Sequence, residues 1–123
     1  MDDLYQANIL DHYRKPRNKQ VLANFDIRHT GKNPSCGDDI ILYIKFDSDG
    51  KVLRASFDGE GCAISQASAS MLTEKMRGMT KEELKKISKD DIYNMLGVKV
   101  NVGREKCALL ALNALQDGLE QIK

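Results

Sequence analysis

Three stretches of the chain carry apolar or half-apolar side chains at every second position, and no helical pattern lies between them. They are Phe25/Ile27/His29, Leu42/Ile44/Phe46 and Leu53/Ala55/Phe57, with mostly polar residues interleaved. Period-two alternation is the mark of strands that bury one face. The DSDG turn at Asp47 to Gly50 joins the second and third stretches and predicts an antiparallel hairpin. The first and second are joined by Gly31 to Gly37, which contains NPSCG.

From Ile64 the period changes. Ile64, Ala67, Ser68, Met71 and Leu72 fall on one helical stripe that ends near Gly78. Thr80 with Glu83, and Ser88 with Asp91, have the spacing of capping boxes and predict two short helices. Leu112, Leu115, Leu119 and Ile122 mark the inner face of a final helix. At the other end, Tyr5, Ile9 and Tyr13 follow Asp2 and Asp3 and precede Pro16, which predicts a short amphipathic helix over 4–14. Strands followed by helices, without βαβ alternation, predict an α+β fold: a three-stranded antiparallel sheet with helices packed on one face.

The 123 residues suit one domain, 1–123, with a single core. Charged residues make up 30%, and 19 basic against 18 acidic residues leave a formal charge of +1. No global field points to nucleic acid or an anionic membrane as a partner. No apolar run approaches the roughly 20 residues that span a bilayer, and the acidic start MDDLYQ lacks the pattern of a signal peptide. A cytoplasmic location is the expectation. Three cysteines, Cys36, Cys62 and Cys107, do not make a disulfide framework in such a chain.

Each cysteine sits at a junction between predicted elements. Cys36 lies in the loop between strands, Cys62 follows Gly59 and Gly61 where strand gives way to helix, and Cys107 opens the last helix. Helix N-termini favour thiolate, the form that binds metal or accepts sulfur. Asp38 follows Cys36 across a glycine, so a tight loop can direct both at one ion. Three thiolates and one carboxylate suit tetrahedral zinc, and thiolates equally suit iron-sulfur clusters; ligand type alone does not choose between them. With a divalent cation the group carries about −2, which Arg104 and Lys106 could offset.

A plainer reading sets the cysteines down as small buried hydrophobes. Spacings of 26 and 45 residues are far from the CxxC pairs of zinc modules. His12 and His29 sit on elements away from the cysteines and read as structural or solvated. The methionines at 71, 76, 79 and 95 read as packing, and Lys81, Lys85, Lys86 and Lys89 as a solvated face.

At these residues the chain resembles the IscU, SufU and NifU N-terminal family of iron-sulfur scaffold and sulfur-acceptor proteins. NPSCGD at 33–38, GEGCAIS at 59–65 and GREKCALLAL at 103–112 resemble the family's three cysteine segments. LYQANILDHYRKPRN at 4–18 and ASASMLTE at 67–74 resemble its first and central helices. The resemblance implies a scaffold that takes sulfur as persulfide from a cysteine desulfurase, assembles a transient [2Fe-2S] cluster and passes it to acceptor apoproteins. It implies Cys36, Asp38, Cys62 and Cys107 as cluster ligands, with zinc able to occupy the same site. Such a scaffold is not an enzyme in the turnover sense.

Two features pull toward different branches. Lys106 stands where IscU members have histidine before the third cysteine, and Arg104 to Cys107 resembles the SufU pattern of a zinc-dependent sulfurtransferase. The 45-residue spacing lacks the SufU insertion, as in IscU. Cys36 and Cys107 are both candidates for the persulfide, with Cys36 preferred for a SufU-like mechanism. LGVKVNV at 96–102 replaces the LPPVK segment by which IscU engages its chaperone, so that partner is not expected. A structural zinc module is the third alternative.

Overall fold

A computed structural model describes residues 3–33, 37–97 and 102–121, with side chains described for these apart from 3–6, 8 and 102–104. Cys36, Ile122 and the central part of LGVKVNV therefore lie outside the described residues, as does the side chain of Arg104. The element order is α1 (Asp3–Arg14), β1 (Ile27–Asn33), β2 (Asp38–Phe46), β3 (Val52–Asp58), α2 (Ala63–Met76), α3 (Lys81–Lys85), α4 (Lys89–Leu96) and α5 (Val102–Gln121).

The strands form one antiparallel sheet in the order β1-β2-β3. The expected hairpin turn closes with Gly50 N–H donating to the Asp47 carbonyl at 3.1 Å, and Gly50 takes φ +81°. Alternation on β2 puts Asp38, Ile40, Leu42 and Ile44 on one buried face. Ile27, His29, Gly31 and Asn33 of β1 lie opposite Ile44, Leu42, Ile40 and Asp38. Helices cover that face: α2 lies over β3, and α5 crosses β1 and β2. Gly31 lets α5 approach, since a Cβ there would stand 3.1 Å from both the Ala114 Cβ and the Leu110 carbonyl.

The sheet departs from the sequence expectation in three places. Phe25 precedes β1 instead of belonging to it. A register shift at Lys45/Phe46 places Val52 opposite Phe46 and leaves Leu53 half-exposed, because a bulge adds one residue and reverses the side-chain phase. The connection expected over Gly31–Gly37 is shorter: the ladder runs on to the pair Asn33↔Asp38. Asp38 is therefore a strand residue in phase with the core.

Helix α2 is surrounded by the sheet, α1, α4 and α5. This explains why ten of its residues, from Ser65 to Thr73 together with Met76, are buried although its sequence shows only one apolar stripe. Its serines meet buried polar partners, as when Ser68 Oγ donates to the Ala108 carbonyl at 2.7 Å. Both capping boxes form. Thr80 Oγ1 accepts the Glu83 N–H and Ser88 Oγ accepts the Asp91 N–H, each at 3.2 Å, with both carboxylates answering the cap N–H. The main-chain N–H of Thr80 holds the Glu83 carboxyl below its usual range, and that of Ser88 does the same for Asp91. Among the described residues no helix is long and apolar enough to cross a membrane.

Candidate metal centre

Asp38, Cys62 and Cys107 reach one point from three different elements. A carboxylate oxygen of Asp38 and the Sγ atoms of Cys62 and Cys107 all lie within 4.8 Å of one another. Asp38 opens β2 on its core face, Cys62 is the N-cap of α2, and Cys107 lies on α5. Asp38 and Cys107 are 4% and 7% exposed, while Cys62 is half-buried and forms the open side of the group. Donors bound to one tetrahedral ion at Zn–S distances sit roughly 3.8 Å apart. The three atoms need only a small contraction to share an ion or a cluster edge, so the donor set fits a thiophilic metal.

The placement of Cys107 corrects one expectation. It does not open the last helix: α5 begins at Val102, so Cys107 stands in the second turn. Arg104, Glu105 and Lys106 are good helix formers and extend the helix upstream. Helix-end polarity fades beyond the first turn, so it does not reach Cys107. Cys107 is instead presented by the core-facing side of α5, next to Ala108 and Ala111.

The loop before Cys62 is held from several sides. Asp39 N–H donates to the Glu60 carbonyl at 2.8 Å, and Gln66 N–H donates to the Cys62 carbonyl at 3.0 Å. The buried Gln66 amide reaches the Gly59 carbonyl at 3.4 Å and accepts from Lys19 Nζ at 2.9 Å. Ser65 Oγ donates to the Cys62 carbonyl at 3.1 Å and lies 3.8 Å from the Cys62 Sγ. Glycine is required at 59, where φ is +115° and a Cβ would overlap the Asp39 carbonyl oxygen. A Cβ at Gly61 would overlap Ser65 Oγ and stand 3.0 Å from the Asp38 Cγ.

Of the sequence candidates, then, Asp38, Cys62 and Cys107 converge, and Cys36 lies outside the described residues. Lys106 beside Cys107 is exposed. His12 is buried against α2 and His29 is paired with Asp117, both apart from the group, as expected of structural histidines. Sequence reasoning passed over Asn33, whose Nδ2 lies 3.8 Å from the Cys107 Sγ, and Gln66, which braces the Cys62 loop. Extending the alternation of β1 from Ile27 by two, four and six residues would have put Asn33 on the core face.

In this α+β fold one end of the sheet, the start of α2 and the second turn of α5 gather two thiols and a carboxylate into a candidate site for a thiophilic metal. The model of the NifU-like N-terminal domain matches residues 4–123, and the chain belongs to that family. It is similar to the zinc-dependent sulfurtransferase SufU of Bacillus subtilis (strain 168), with 41% identity covering 97% of this chain and 91% of the relative. It is also similar to the iron-sulfur cluster assembly scaffold protein IscU of Thermotoga maritima, with 35% identity over 97% and 94%. Among solved structures, FiSufU from Fervidobacterium islandicum AW-1, described as a candidate scaffold for the SUF system, superposes with TM-score 0.79. Identity there is 32%, over 91% of this chain and 93% of that one. The alignment with the Bacillus protein runs over 136 positions, more than the 123 residues present here, so that relative carries residues this chain lacks.

Proposed function

We propose that the chain is a scaffold for iron-sulfur cluster assembly in the cytoplasm. It accepts sulfur from a cysteine desulfurase, builds a transient [2Fe-2S] cluster held by Cys36, Asp38, Cys62 and Cys107, and passes it to acceptor apoproteins. The observation that carries this reading is the meeting of Asp38, Cys62 and Cys107 donor atoms within 4.8 Å, drawn from a strand and two helices. A cluster is cargo here, so the site must both hold it and let it go. The three cysteine sulfurs supply strong bonds, and the one carboxylate supplies a hard, weaker bond to iron that exchanges first.

In the sulfur step a thiolate of this chain attacks the terminal sulfur of the desulfurase persulfide. A new S–S bond forms, the donor's S–S bond breaks, and the donor leaves as thiolate, so no net oxidation occurs. Reducing two such sulfurs to sulfide takes four electrons. Two ferrous ions supply two on becoming ferric, and two external thiols oxidised to a disulfide, or two equivalents of a one-electron reductant, supply the other two.

A second reading is a SufU-like zinc-dependent sulfurtransferase in which the same four residues hold Zn2+ and Cys36 or Cys107 takes the persulfide. The identity with the Bacillus sulfurtransferase and the Lys106 before Cys107 favour it. Zinc would supply charge neutralisation for the clustered thiolates and keep them deprotonated; Arg104 and Lys106 add positive charge from α5.

Anaerobic incubation with a cysteine desulfurase, cysteine and ferrous iron separates the two. Growth of a visible cluster chromophore that transfers to an apo-ferredoxin supports the scaffold. Persulfide formation that depends on retained zinc, with no chromophore, overturns it in favour of the sulfur carrier.

A further inference from the structure

We propose that Asn33 is a positioning residue for Cys107, its side-chain amide donating a hydrogen bond to the Cys107 sulfur when that sulfur carries metal or cluster. The inference rests on the reading that Cys107 is a ligand. Asn33 is the last residue of β1, buried at 6% exposure, and its Cα partner across the ladder is Asp38. Its Nδ2 lies 3.8 Å from the Cys107 Sγ, within the reach of an N–H···S contact to a large sulfur atom. Its carbonyl accepts the N–H of Gly37 at 2.9 Å. One residue thus adjoins Asp38 through the ladder and addresses Cys107 through its side chain.

The chemistry selects the amide group that faces the sulfur. A metal-bound thiolate offers only lone pairs, so the NH2 end is the one that can meet it, and the carbonyl end would repel it. A donated N–H at a buried site draws charge from the sulfur and fixes the direction of its lone pairs. Ligand-holding contacts of this kind are worth roughly 10–100-fold in metal affinity. Aspartate at this position would place a second carboxylate against the thiolates, and alanine or leucine would leave the sulfur without this donor.

The test loads the full chain anaerobically with cobalt(II) alone and records the thiolate-to-cobalt charge-transfer bands, for wild type, Asn33→Ala and Asn33→Leu. Leucine keeps the side-chain volume, so one variant guards against loss of packing in the other, and thermal unfolding without metal confirms folding. Loss of the hydrogen bond raises the sulfur donor level. The expected result is a shift of the bands to longer wavelength in both variants, with cobalt affinity lower by roughly tenfold. Unshifted bands in the variants, with or without a loss of affinity, overturn the assignment of Asn33 while leaving the metal centre in place. Absence of thiolate-to-cobalt bands in wild type itself overturns both.

Discussion

The Nδ1 atom of His12 lies 2.8 Å from the Ser70 hydroxyl, joining α1 to α2 inside the protein. The same hydroxyl accepts the main-chain N–H of Arg17 at 2.8 Å, so its own proton is available to the imidazole. The ring is then neutral, with its proton on Nε2 toward Glu74, 3.9 Å away.

Burial and the nearby Arg17 guanidinium hold His12 below the ordinary histidine value of 6.5, outweighing the opposing pull of Glu74 and Asp11. A histidine with a depressed folded pKa binds fewer protons folded than unfolded, so stability rises with pH across that interval. The contribution is fully present above about pH 6.5 and is lost as pH falls toward the folded value. Chemical denaturation of the metal-free protein from pH 7.5 to 5 should show this decline. In His12→Gln the decline should flatten, with stability at pH 7.5 lower by about 1–3 kcal/mol from the disturbed buried hydrogen bond. Equal slopes in the two proteins would remove His12 as the cause.

Asp38→Ala should leave the fold intact and slow cluster release, because it takes away the oxygen ligand proposed to exchange first. The expected change is roughly tenfold in the transfer rate to an apo-ferredoxin, equal to about 1.4 kcal/mol of barrier. Transfer at the wild-type rate would show that the carboxylate is not what keeps the cluster labile.

Gly61→Ala and Gly59→Ala separate site geometry from backbone strain. At Gly61 the added methyl would press on the buried Ser65 hydroxyl and the Asp38 carboxyl, so zinc affinity should fall by roughly tenfold, with metal-free stability lower by about 1–3 kcal/mol from overpacking. At Gly59 the methyl meets the Asp39 carbonyl in a backbone conformation unsuited to alanine, so stability should fall by about 1–3 kcal/mol or more. Zinc titration and thermal unfolding of the two variants check this; an unchanged zinc affinity in Gly61→Ala would contradict it.

Zinc should raise the melting temperature, since it binds donors that only the folded chain brings together. At a hundredfold excess over the dissociation constant the gain is about 2.7 kcal/mol. Cys62→Ser and Cys107→Ser should each lose most of this increment, with metal-free stability close to wild type. Retention of the full increment in either variant would exclude that sulfur from the site.

Much of this architecture was legible in the sequence because it rests on local periodicity. Alternation in 42–46, the DSDG turn, the stripe after Ile64 and the two capping boxes each depend on residues a few positions apart, and each appears where the pattern put it. Asp38, Cys62 and Cys107 were likewise readable as candidate donors from their residue types, and they are the three that converge. What the tertiary structure alone decided is where those donors meet. Whether Asp38 stood in a loop or on the core face depended on how far the ladder with β1 continued, up to Asn33↔Asp38. The position of Cys107 depended on α5 starting at Val102, and the neighbour of its sulfur on β1 passing beneath that helix. Residues 74 positions apart come to share one site only through the packing of α5 on the sheet. Local periodicity carries no information about such a pairing, because burial of the whole face stabilises it and no single segment does.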